Sequence, residues 1–127
     1  MAERVWTIHE WWDGPRYGIA DLNGTPCVFE SIFSDDLDDW TDEYVLTPIT
    51  SEQFLLAMED WQRWKVWRTA FDSGQTTTWT QGLDVAGMIK DSNPKHQLRR
   101  TGQFIYAENA QWAYATGITV EWSPETC

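Results

Sequence analysis

The sequence predicts an α+β domain: a twisted antiparallel sheet or partial barrel of about six to seven strands packed on one long helix, residues 51–72. Three observations predict it. The segment from Thr50 to Gly74 carries helical periodicity with both a start and a stop signal. Two tight turns fall within the opening meander, and the stretch from Gln103 to Trp122 alternates apolar and polar residues between further turn signals. The chain of 127 residues has the length of a single domain and is long enough to bury a core.

The helix is the most explicit element. Thr50 or Ser51 can cap it, and Thr50 with Gln53 has capping-box spacing, which gives partners to first-turn N–H groups. Gly74 ends it. At about 100° per residue, Phe54, Ala57, Met58, Trp61, Trp64, Trp67 and Phe71 share one arc that must be covered. Leu55, Leu56, Val66 and Ala70 fall outside that arc. The helix is therefore expected to be wrapped by the sheet on two sides or left partly open for a partner. Its length is roughly 33 Å, the width of a small domain.

The strands follow in order. Val5 to Trp12 is rich in β-branched and aromatic residues, and Asp13-Gly14-Pro15-Arg16 supplies turn chemistry. Tyr17 to Leu22 runs into Asn23-Gly24, the dipeptide that a type I′ hairpin turn favours because both central residues take positive φ. Thr25 to Phe33 completes the meander. Tyr44 to Ile49 reads as a fourth strand, ended by Thr47-Pro48. Past the helix, QTTTWTQG is β-prone, Leu83 to Lys90 suits one or two helical turns, and Ser92-Asn93-Pro94 signals a short helix over Lys95 to Arg100. Gln103 to Ala107, Gln111 to Ala115 and Ile118 to Trp122 are expected to close the sheet.

The opening WWDGPRYGIADLNGTPCVFE resembles the start of a group of small uncharacterised bacterial proteins. The shared pattern is aromatic-aromatic-Asp-Gly-Pro at Trp11 to Pro15, Gly-Ile-Ala-Asp at Gly18 to Asp21, and Gly-x-Pro at Gly24 to Pro26. It covers about the first third of the chain. The resemblance implies no activity.

Charge is the most informative bulk property. The formal net charge is −11, and residues 35–60 hold nine acids and no base. So acidic a chain repels nucleic acid, which argues against direct nucleic-acid binding and for a basic protein partner. The run SDDLDDWTDEY carries Asp35, Asp36, Asp38, Asp39, Asp42 and Glu43, with Trp40 inside it. Trp40 stands where a calcium loop needs a third oxygen ligand, and the run lacks the glycine of such a loop. Without a partner, the run is a solvated loop. With one, its carboxylates, continued by Glu52, Glu59 and Asp60, steer encounter and Trp40 anchors it. Lys90, Lys95, His96, Arg99 and Arg100 form the basic cluster, expected to balance the acids within the fold or a dimer.

No cofactor and no metal is expected. Cys27 and Cys127 do not have zinc spacing, a structural disulfide is not expected with one of them terminal, and His9 and His96 lack a nucleophile or ligand context. No signal peptide or membrane span is read, so the expected setting is soluble and cytoplasmic, as monomer or homodimer. The function expected is an acidic protein–protein interaction module that neutralises or regulates a basic, nucleic-acid-binding protein, as immunity, anti-defence and nucleic-acid-mimic inhibitors do. It would not be an enzyme. An alternative is a small-molecule or peptide site in which Trp11, Trp12, Trp79 and Trp112 line a pocket with Asp13 and Arg16. A third reading is a small enzyme using Asp13, Asp21 and Glu30 of the opening hairpins, with Arg16 as anion clamp.

Overall fold

The computed structural model describes residues 2–11, 14–74, 97–111 and 114–123. Among these, the elements run β1 (Glu3–Trp11), β2 (Pro15–Leu22), β3 (Thr25–Ser34), β4 (Asp39–Pro48), α1 (Ser51–Asp72), β5 (Leu98–Gln111) and β6 (Thr116–Trp122). Each strand pairs antiparallel with the next, and β6 returns to β1 through Glu3↔Val120 and Arg4↔Thr119. The sheet is a closed six-stranded barrel.

Closure corrects the expectation of an open sheet or partial barrel wrapped on the helix. The barrel is organised around its own interior, and α1 lies against the outside. Pairing between the first and last strands leaves no local signature in a sequence, so alternation alone did not reveal it. Its physical basis lies in the inward-facing residues. Even eight strands leave an interior only just wide enough for side chains. A six-stranded barrel is narrower, and here Ala20 and Cys27 are buried inward beside the larger Phe29, Tyr44, Leu46, Ile118 and Val120. Gly102 takes the place of a side chain under Trp122, whose Cε3 would lie 2.7 Å from an added Cβ.

Alternation sorts the strands into two faces. Val5, Ile8, Ala20, Phe29, Tyr44 and Val120 fill the barrel. Tyr17, Ile19 and Val28 point outward, where Ala57 of α1 and Ile49 pack on them with Trp6 and Phe54 at the edge. The irregular β1 register brings Thr7 Oγ1 into the ladder, where it accepts the Ile19 N–H at 3.0 Å.

The helix has the reciprocal cap predicted for it. Thr50 Oγ1 accepts the Gln53 N–H at 3.1 Å, and Gln53 Oε1 accepts the Thr50 N–H at 2.9 Å. Trp61 is buried, edge-on to His9 at 5.4 Å and stacked on Trp64 at 5.1 Å. Near its end, Tyr114 donates to Asp72 Oδ2 at 3.3 Å, tying α1 to the β5–β6 connection. Leu55, Leu56 and Val66, outside the packed arc, are exposed.

Other expectations shift. The acidic run is a hairpin rather than a free loop, since Asp39–Pro48 is strand and Ser34 pairs with Asp39. Leu98 to Arg100, expected as the end of a short helix, lie in β5, paired with Leu46, Val45 and Tyr44. β5 runs unbroken to Gln111, and Ala115, expected as strand, sits at φ 53° in the turn. The type I′ signal holds, with Asn23 at φ 54° and Gly24 at φ 79°. The β-prone stretch 75–82, read as an edge strand or an ordered loop, the one or two helical turns over 83–90 and the basic residues Lys90, Lys95 and His96 lie outside the described residues.

Candidate functional site

Because consecutive strands are antiparallel, the β1–β2, β3–β4 and β5–β6 connections all fall at one end of the barrel. Two features meet there: the acidic hairpin and a cleft in the barrel mouth.

The hairpin is built by local bonds. The Ser34 hydroxyl accepts the Leu37 N–H at 3.3 Å, Asp39 Oδ1 accepts the Trp40 N–H at 2.8 Å, and Thr41 donates to Ile32 O at 2.8 Å. Asp38 takes φ 50°, a conformation Asp and Asn tolerate better than most residues. Asp35, Asp36, Asp38, Asp39, Asp42 and Glu43 are all exposed. Trp40 is half-buried, edge-on to Phe33 at 5.2 Å, with the Arg16 guanidinium 5.2 Å from its ring. The more exposed apolar side chains are Leu37, at 71%, and Phe33, at 43%. Sequence reasoning did not single out either, although Leu37 is the one apolar residue inside SDDLDD. Glu59 and Asp60 sit on another element, α1, where Glu59 accepts from Arg63 at 2.6 Å and Asp60 is half-buried.

The cleft has a volume of about 450 Å³ and is lined by Gly14, Arg16, Asp42, Tyr44, Phe104 and Tyr106 among others. Its walls are inward positions spaced two apart: Asp42 and Tyr44 on β4, and Phe104 and Tyr106 on β5. Tyr44 crosses the barrel and donates to Pro15 O at 3.1 Å. Burial pushes its phenol up to about 12, against the opposing pull of the Arg16 charge. Burial likewise raises Tyr106, again opposed by Arg16. Arg16 donates through Nη1 to Ser31 Oγ at 3.3 Å. Phe104 packs on Phe29 at 5.4 Å and Tyr44 at 5.5 Å, making an aromatic floor.

Of the alternative pocket residues, Arg16 lines this cleft and Trp11 touches its wall, edge-on to Tyr106 at 5.8 Å. Trp12, Asp13, Trp79 and Trp112 lie outside the described residues. Of the carboxylates in the third reading, Asp21 accepts the Trp6 indole N–H at 2.8 Å. Asp21 faces Pro26 in the β2–β3 ladder while Glu30 faces Tyr17, four positions along, so the two are roughly 13 Å apart. The paired carboxylates of glycoside hydrolases, for comparison, stand about 5–9.5 Å apart.

A further cleft of about 630 Å³ lies between α1 and the β5–β6 end, beside Lys65, Thr69 and Tyr114. Among the described residues, no group of three or more His, Cys, Asp or Glu is placed to hold a metal, and no helix is long and apolar enough to cross a membrane. No family model, curated protein or solved structure matches this chain.

Proposed function

We propose that this protein is a binding module whose β3–β4 hairpin docks into a cationic groove of a basic protein and neutralises it, in the manner of a nucleic-acid-mimic inhibitor. One observation carries the reading: Asp35, Asp36, Asp38, Asp39, Asp42 and Glu43 are exposed together on one ordered hairpin, with Leu37 exposed among them and Phe33 exposed on the strand leading into the turn. Six carboxylates on a pre-formed turn steer a basic partner, and the adjoining apolar side chains give the encounter area to bury. Holding the hairpin through backbone pairing and the Phe33–Trp40 contact reduces the ordering entropy that a free acidic loop would lose on docking.

The experiment captures partners with the native protein and with a variant carrying Asp35, Asp36, Asp38 and Asp39 changed to Asn, then measures association of the purified partner at low and high salt. The expected partner is basic, its association rate falls at least about tenfold as salt rises, and the variant loses most of that salt dependence. DNA or another polyanion should compete for the same groove. A partner bound equally well by the variant, or at a rate independent of salt, overturns the proposal.

A further inference from the structure

The barrel mouth presents opposite charges at its rim and aromatic carbon beneath them. Arg16 and Asp42 line the same cleft as Tyr44, so the mouth holds one cationic and one anionic side chain beside the phenol. They come from different strands, β2 and β4. Below the rim, Tyr44 and Phe104 pack on each other and on Trp122, which gives the cleft an aromatic floor. Tyr106 forms one wall, backed by Trp11.

We propose that this mouth binds a small zwitterion, a free α-amino acid with an aromatic or large apolar side chain, its carboxylate on Arg16, its ammonium toward Asp42 and its side chain against Phe104 and Tyr106. The volume of about 450 Å³ suits a ligand of that size and falls within the usual range for small-molecule sites. The planar guanidinium matches a carboxylate in shape as well as charge. Charge then selects among ligand classes. A simple anion meets Asp42 and the field of a chain with net charge −11. A simple cation meets Arg16. A molecule that is neutral overall but carries both charges at one end meets neither penalty, and its uncharged end lies on the aromatic floor.

This site does not depend on the hairpin proposal. Asp42 is unchanged in the four-residue Asn variant, so either proposal can fail alone. The test is a titration of the isotopically labelled protein, followed by amide resonances, with L-phenylalanine, L-tyrosine, L-tryptophan, L-leucine and glycine. Phenethylamine and 3-phenylpropionate serve as probes carrying only one of the two charges. At least one of the four larger amino acids should give saturable shifts at Arg16 and at Thr101 to Phe104 within millimolar concentration. Glycine and both single-charge probes should bind at least about tenfold more weakly. Asp42→Asn removes an exposed charge with no packing change and should weaken binding about tenfold, and Arg16→Gln should abolish it. The proposal is overturned if none of the amino acids saturates, if 3-phenylpropionate or phenethylamine binds as tightly as L-phenylalanine, or if Asp42→Asn leaves the affinity unchanged.

Discussion

Trp122 lies so close over Gly102 that a Cβ there would collide with the indole ring, 2.7 Å from Cε3, and press on Tyr44 Cδ1 at 3.2 Å. Trp122 is itself held, since its Nε1 donates to Asp21 O at 2.9 Å and its ring packs on Phe29, Tyr44 and Phe104. The ring has no easy retreat. Gly102→Ala is therefore expected to cost about 1–3 kcal/mol, the usual penalty of overpacking, read as a lower urea midpoint with an unchanged slope. An unaffected midpoint would show that the ring moves freely and that closure does not depend on this contact.

That glycine also explains where the sequence was readable. Thr50 with Gln53, and Asn23 with Gly24, are local signals: the partner of each group stands within three residues, so the cap and the hairpin could be placed from the chain alone. Gly102 carries no such local signal, because the reason for it, Trp122, lies far along the chain. Ser92-Asn93-Pro94 and Asn109 are the local signals along this span, and they point to a short helix and two strands where the structure has the single strand β5. The candidate mouth was hidden for a similar reason. Arg16, Asp42, Tyr44 and Tyr106 belong to three strands and share a place only after the sheet closes. The acidic run, by contrast, was visible as charge, while its strand content was not: the pairing of Phe33 with Trp40 that orders it is a contact across the turn.

Thr47 is fully buried, opposite Val28 in the ladder, and among the described residues its hydroxyl has no hydrogen-bond partner. A buried hydroxyl without a partner costs desolvation that nothing returns. Valine has nearly the same shape and favours a strand. Thr47→Val is expected to raise stability by about 1 kcal/mol in thermal or urea unfolding. A loss of that size instead would mean that the hydroxyl is satisfied by water.

The four Asp-to-Asn changes at the hairpin tip should leave the fold intact. Asn keeps an oxygen to accept the Trp40 N–H, and at position 38 it tolerates the positive φ at least as well as Asp. Removing like charges crowded on one turn relieves repulsion, so the melting temperature is expected to rise by a few degrees at low salt. The gain should fade at high salt, because screening shortens from about 30 Å at 0.01 M to 3 Å at 1 M. A melting temperature that drops at every ionic strength would show that the carboxylates hold the hairpin together, and the variant would then be unsuitable as a binding control.

Alkaline pH should weaken the fold through two buried groups. Burial, first among its causes, pushes the Cys27 thiol from 9.0 up to about 12, and burial pushes Tyr44 from 10.0 to about 12. In both, the folded state favours the neutral form. Between about pH 9 and 12 the unfolded chain releases these protons while the folded chain keeps them, so stability falls as pH rises. The contribution is complete below about pH 9 for Cys27 and below about pH 10 for Tyr44, and is lost through about pH 12 for both. Urea midpoints measured under reducing conditions from pH 8 to 11 should decline. Cys27→Ala should flatten the part that begins near pH 9, and Tyr44→Phe the part above pH 10, after a constant loss of about 1 kcal/mol for the hydrogen bond to Pro15 O. With Cys127 changed to Ser, a thiol reagent at pH 8 should modify Cys27 only once the chain unfolds. Rapid modification of the native protein, or midpoints that stay level to pH 11, would show that the barrel interior opens to solvent far more readily than the buried thiol and phenol indicate.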